Sequence, residues 1–120
     1  MRILEYRRRA VRRLETPSPW DLSWLVGLLE GEGSFMALKH DRGRRFTIRV
    51  GMKDEDIITR AAALMGGVKI QFQLYHKHTN YRYVAELSGR RAERLAQLLY
   101  PHMGYRRQCQ IVEAFSLSHF

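Results

Sequence analysis

The strongest constraint on this chain is a helical run with no polar side. From Leu22 to Leu29 every residue except Ser23 is apolar. Just ahead of it, Ser18, Pro19 and Asp21 predict an N-cap, a proline in the first turn and an acid at the third helical position. A helix that is apolar all round must be covered on every side. Gly27 and Gly31 fall four apart on one face, where another backbone can approach closely, either within the chain or from a second copy. The run ends in Glu30 and Glu32, interleaved with Gly31 and Gly33. Acids at a helix C-terminus oppose the macrodipole. Their placement there calls for something positive nearby, such as a metal ion.

At 120 residues the chain has the length of one domain with one modest core. Its formal net charge is +9, with the basic residues spread along the sequence, a field that favours a polyanion. No apolar run reaches the length of a membrane span, and the arginine-rich start lacks the apolar stretch of a signal peptide. Cys109 is the single cysteine, so no internal disulfide is expected and a reducing compartment suits the chain, cytoplasmic (nucleoid-associated) or organellar rather than secreted. Cys109 itself reads as a small buried hydrophobe.

Residues 1–15 carry six arginines among Ile3, Leu4, Tyr6, Val11 and Leu14. They read either as a basic amphipathic helix or as a solvated arm, and residues 1–19 as an arm and linker ahead of a single domain over 20–120. Thr16-Pro17-Ser18-Pro19 stops this segment before the apolar helix. Ser34–His40 and Arg45–Gly51 read as a hairpin turning at Asp41-Arg42-Gly43-Arg44. In the second strand Phe46, Ile48 and Val50 alternate with Arg45, Thr47 and Arg49, one face apolar and the other basic. In the first, Phe35 and Ala37 point inward and Met36, Leu38 and His40 outward.

Lys53-Asp54-Glu55-Asp56 opens a second helix with acids in its first turn, and capping explains them more simply than a metal does. Ile57, Ile58, Ala61, Ala62, Leu64 and Met65 form its core stripe, and Gly66-Gly67 ends it. Val68–Tyr75 alternates again, with Lys69, Gln71, Gln73 and Tyr75 on the polar face, a set suited to base edges in a major groove. His76-Lys77-His78 is a turn that touches phosphate, since no third metal ligand accompanies the histidines. Tyr81–Leu87 returns as a fourth strand with ambiguous facing. Ser88 then caps a helix to Tyr100 that turns Ala92, Leu95, Leu98 and Leu99 inward, with Pro101 as the stop. A last helix follows from Gly104 to Leu117 through Ile111, Val112 and Phe115. The fold class is α+β: an antiparallel four-stranded saddle backed by helices.

Leu25-Val26-Gly27-Leu28-Leu29-Glu30-Gly31-Glu32-Gly33 resembles, position by position, the LAGLIDADG motif of homing endonucleases, and Ser34-Phe35 resembles the start of that family's first DNA-facing strand. Val26 stands for the motif's alanine and glutamate for both aspartates. The order of elements through Phe115 is similar too, αββαββα with one copy of the motif.

The resemblance implies a homodimeric, intron-encoded type of endonuclease that makes a metal-dependent double-strand break in duplex DNA at a long, near-palindromic site. It implies that Glu32 binds the catalytic Mg²⁺ with help from the Gly31 carbonyl; Mn²⁺ or Ca²⁺ could substitute for binding. Glu30 matches a more structural acid. Arg106 stands where the family places a lysine at the start of its last helix, with Lys53 the other candidate for stabilising the transition state. Met52 stands where the family often has a polar residue. Leu25, Gly27, Leu28 and Gly31 would form the dimer interface. DNA contacts would come from Met36, Leu38, His40, Arg42, Arg44, Arg45, Thr47, Arg49, Lys69, Gln71, Gln73, Tyr75, Lys77, Arg82 and Arg107. Two rival readings stay open: a DNA-binding protein that has lost catalysis, and an RNA-splicing maturase.

Overall fold

A computed structural model of the chain describes residues 3–75 and 80–119. The elements follow the order β1 (Ile3–Arg9), α1 (Pro19–Glu32), β2 (Gly33–His40), β3 (Gly43–Met52), α2 (Glu55–Leu64), β4 (Ile70–Tyr75), β5 (Tyr81–Ser88), α3 (Arg90–Leu99), a 3₁₀ turn (Tyr100–His102) and α4 (Tyr105–Ser118). The fold is α+β, and its sheet is open and has five strands rather than four, in the order β1-β4-β5-β3-β2. Among the described residues no helix is long and apolar enough to cross a membrane. Two compact units are distinguished, Met1–Leu22 with Val50–Glu86, and Ser23–Arg49 with Leu87–Phe120.

In the first unit residues 3–9 are neither a helix nor a loose arm. They form a strand, antiparallel to β4, with Tyr6 opposite Gln73 and Arg8 opposite Gln71. A short helix crowded with arginines has little to hold it in water, whereas β4 offers a row of backbone partners. The α2 helix packs against β4 and buries Ile58, Ala61, Ala62 and Leu64, with Met65 just beyond its end. Asp54 is its N-cap residue but makes no side-chain cap bond; the acids of this turn complement the helix dipole, and Glu55 also pairs with Arg9. Gly67 follows with φ +80°, and a Cβ there would meet the Arg13 backbone nitrogen at 2.9 Å. Both the backbone angle and the neighbour therefore demand glycine.

The start of α1 is the capping arrangement the sequence predicts. Ser18 Oγ donates to Asp21 Oδ2 at 2.9 Å, and the Asp21 N–H donates back to Ser18 Oγ at 3.1 Å. The Ser18 N–H also reaches Asp21 Oδ2, at 2.9 Å. That backbone bond first, then the Ser18 hydroxyl, with Arg60 adding to them, holds the Asp21 carboxyl below its ordinary range. A depressed carboxyl stabilises the fold at neutral pH and stops doing so as acid protonates it.

The second unit is built on Leu25 and Leu29 of α1, both fully buried, with Phe35, Phe46, Ile48 and Leu87 from the strands. Helix α1 passes into β2 with no residue between them. A Cβ on Gly33 would lie 2.8 Å from the Leu29 carbonyl oxygen, so this junction accepts only glycine. On β2, Phe35 is buried while Met36, Ala37 and Leu38 are all half-buried, so the expected alternation fades along the strand. Ser88 is not the cap of α3. It ends β5, and Gly89 is the N-cap at φ +84°. In α3 the inward residues are Ala92, Ala96 and Leu99, whereas Leu98 is 55% exposed. In α4, which packs on β2, the buried stripe is Arg107, Ile111 and Ala114, and Val112 is 56% exposed. Cys109 is exposed rather than buried. Ala96 and Ala114 thus hold buried positions where the sequence pattern pointed to Leu98 and Val112.

Candidate carboxylate site and basic sheet faces

The two motif acids have different surroundings. Glu30 is half-buried, and its Oε1 accepts a hydrogen bond from the N–H of Gly104, the N-cap of α4. Arg107, 6% exposed, donates from Nε to the Glu30 carbonyl oxygen at 2.9 Å and stands 4.0 Å from Glu30 Oε2. Its Nη1 donates to Gln110 Oε1 at 2.8 Å. The acid that opposes one helix dipole is thus set on the favourable end of another, beside a guanidinium. This removes Arg107 from the DNA contacts predicted for it: its side chain is buried and bonded to the end of α1.

Glu32, the last residue of α1, is exposed, as is Gly31. A carboxylate and a main-chain carbonyl are the hard oxygen donors that Mg²⁺ prefers. Among the described residues no three His, Cys, Asp or Glu side chains come together to hold a metal ion. The donor type fits the ion, and the remaining oxygens would have to come from water, phosphate or a second chain. Arg106 is exposed at the start of α4. Lys53 is exposed too, its ammonium 5.5 Å from the centre of the Tyr81 ring.

The interface residues divide. Leu25 is 0% exposed and belongs to the core, which corrects its assignment to a dimer surface. Leu28 is half-buried. Gly27 and Gly31 are exposed, and apart from their chain neighbours and the backbone of their own helix no described atom comes within 4 Å of a Cβ added at either. Together with Trp20 (83% exposed) and Ser23 they form one open stripe along α1. The helix is left open along this stripe, and among the described residues no other element packs closely on the two glycines.

The first unit carries a polar face across three strands. Opposed residues of antiparallel strands share a face, so the register groups Tyr6 and Arg8 of β1 with Gln71, Gln73 and Tyr75 of β4 and Arg82 of β5. Gln73 lies at the centre and is 7% exposed. Its Oε1 accepts from Tyr75 Oη at 2.6 Å and from Arg82 Nε at 2.8 Å, while its Nε2 donates to Gln71 Oε1 at 3.3 Å. Gln73 therefore positions its neighbours instead of reading a base itself. Gln71, Tyr75 and Arg82 are half-buried and Lys69 is exposed. The opposite face holds Phe72, Tyr81 and Tyr83, with Phe72 and Tyr83 ring centres 5.3 Å apart and Arg7 stacked 4.9 Å over Phe72. Burial, then a hydrogen bond to Glu55, pushes the Tyr83 hydroxyl's pKa up.

In the second unit the hairpin presents Arg42, Arg44 and Arg45, all exposed, beside exposed His40. Arg44 Nη1 donates to the Ala37 carbonyl oxygen at 3.2 Å. Arg49 is half-buried, as are Met36 and Leu38. Thr47 is 0% exposed, with its Oγ1 2.9 Å from Ser88 Oγ and donating to the Arg45 carbonyl oxygen at 3.0 Å. It is a core hydroxyl, not a DNA contact. Lys77, with His76 and His78, lies outside the described residues.

Sequence reasoning missed Tyr6 and Arg8. The available signal was the period-two pattern in Ile3–Arg9, with Tyr6 and Arg8 on one side and Glu5, Arg7 and Arg9 on the other. Set against known proteins, the chain matches no family model, no curated protein and no solved structure.

Proposed function

We propose that the chain is a DNA endonuclease of the LAGLIDADG type, acting as a homodimer that hydrolyses both strands of duplex DNA near the centre of a near-palindromic site. The observation that carries this reading is the contrast between the two acids. Glu30 is tied down by Gly104 and Arg107, whereas Glu32 is left exposed at the end of the same helix. An acid held against a helix dipole with no such tie is suited to a cation. After β1 the elements follow the αββαββα order, and the polar sheet face supplies Gln71, Tyr75 and Arg82 for the groove.

In this reading α1 pairs with its twin along Trp20, Ser23, Gly27 and Gly31, which brings the two Glu32 carboxylates together. Glu32 and the Gly31 carbonyl would hold the metal, and Mg²⁺ bound there supplies Lewis-acid polarisation of the scissile phosphate. Arg106 and Lys53 are the cations available to stabilise the charge that develops in the transition state. A strand of eight residues spans about 26 Å, or roughly eight base pairs, so a dimer reads a site of roughly sixteen.

The deciding test is selection on randomised DNA duplexes, loaded in Ca²⁺ and shifted to Mg²⁺. Recovery of a two-fold symmetric site cut on both strands is the expected result. The same site recovered intact would leave only DNA binding, and enrichment of structured RNA over duplex would replace the reading with a splicing role.

The open glycine stripe makes a separate prediction. Gly27→Ala meets empty space within the chain and removes a helix-interior glycine, so it should stabilise the isolated monomer by up to about 1 kcal/mol. Gly27→Leu should weaken self-association at least tenfold, because close backbone approach is lost. Equilibrium sedimentation of both variants checks this, and unchanged association in Gly27→Leu would rule out pairing through this stripe.

A further inference from the structure

We propose that β1 is an additional DNA-contacting strand, with Arg8 as a phosphate clamp held by Tyr6 at the margin of the polar sheet face; this rests on the DNA-binding reading above. Arginines on an edge strand have a plainer use, since charge there discourages sheet-to-sheet aggregation. Arg7 and Arg9 need no further role. Arg7 pairs with Glu5 at 2.7 Å and stacks over Phe72, and Arg9 Nη2 reaches Glu55 at 3.2 Å and Thr59 at 2.8 Å. Both point to the face that carries Phe72 and Tyr83.

Arg8 points the other way. It is exposed, and among the described residues its partner is Tyr6, whose hydroxyl accepts from Nε at 2.9 Å and whose ring lies 5.3 Å beneath the guanidinium. Stacking on the ring fixes the guanidinium plane while both terminal amino groups stay available, the fork that suits a phosphate. Among the described residues no carboxylate pairs with Arg8.

Groove dimensions select phosphate over a base edge. A major groove about 12 Å wide admits a two-stranded ribbon, and strands lie about 4.8 Å apart. With β4 and β5 filling the groove, the next strand on the same face meets its wall, which is sugar and phosphate. Through the register, Arg8 lies one strand outward from Gln71 and Tyr6 one outward from Gln73. A phosphate contact there adds affinity without sequence preference.

The test is fluorescence anisotropy with a random-sequence duplex across a salt series, comparing the full chain with Arg8→Gln and Arg7→Gln. Arg8→Gln should reduce the slope of log K against log salt by about 0.9, while Arg7→Gln should leave the slope within error. An unchanged slope in folded Arg8→Gln, or a change in base preference at constant slope, overturns the clamp. Should Arg8→Gln fold poorly, a duplex with neutral methylphosphonate linkages bound by the unaltered chain gives the second measurement: the slope should drop on substitution at the margin of the footprint, and an unchanged slope at every such position overturns the proposal. A wild-type chain that binds no duplex at all refutes the DNA reading itself, an outcome distinct from these.

Discussion

A Glu32→Gln variant should bind its DNA site as tightly as the parent and cut it on the order of 10³-fold more slowly. The amide keeps the size of the side chain and removes the charge that would hold a divalent cation. Glu32 is exposed at the helix end, so the fold should melt normally. Glu30→Gln is the contrasting case. Its side chain can still accept from the Gly104 N–H but loses the charge beside Arg107. Stability should fall while cleavage per folded molecule is retained. Thermal melts and single-turnover cleavage on the selected duplex, run on both variants, separate the roles. Full activity in Glu32→Gln would remove the enzyme assignment.

Arg107→Ala should destabilise the fold by about 2–3 kcal/mol, whereas Arg106→Ala should change stability by less than about 0.5 kcal/mol. The two arginines are adjacent in sequence and turned about 100° apart on α4. One is buried against the Glu30 carbonyl, and the other is exposed. Removing Arg107 leaves that carbonyl without its donor and Glu30 without its nearby cation, a loss larger than that of a surface ion pair. Denaturant titration of the two alanine variants is the measurement. Equal midpoints would mean that the α1–α4 tie does not hold the second unit together.

Much of this arrangement was legible because its signals are local. Ser18 and Asp21 predict their own cap from three-residue spacing, and the alternation in Phe46–Val50 predicts a strand with one buried face. The acids after the apolar run stood out in the sequence, but the sequence could not say that Glu30 is tied down and Glu32 exposed. That difference depends on Gly104 and Arg107, more than seventy residues away. Thr47 and Gln73 went wrong for a related reason. Alternation assigns a face, not a depth, and each lies where partners on its own strand and on β5 satisfy its polar atoms. Residues 3–9 were misread because composition outweighed period. The arginines suggested an arm, while the partner that makes them a strand is β4, far along the chain. In α3 and α4, volume misled: Leu98 and Val112 look like core, yet Ala96 and Ala114 are the buried residues.

The direct passage from α1 into β2 has a mechanical consequence. With no loop residue at the junction and no room for a side chain on Gly33, helix and strand behave as one lever with Glu32 at its elbow. Lengthening α1 by one residue would turn the acid about 100° around the helix axis, and slipping β2 by one would exchange its inner and outer faces. Neither change can be absorbed locally. The carboxylate's position is therefore geared to the packing of Leu29 on one side and Phe35 on the other, and core substitutions at those two positions should misplace the acid before they unfold the chain.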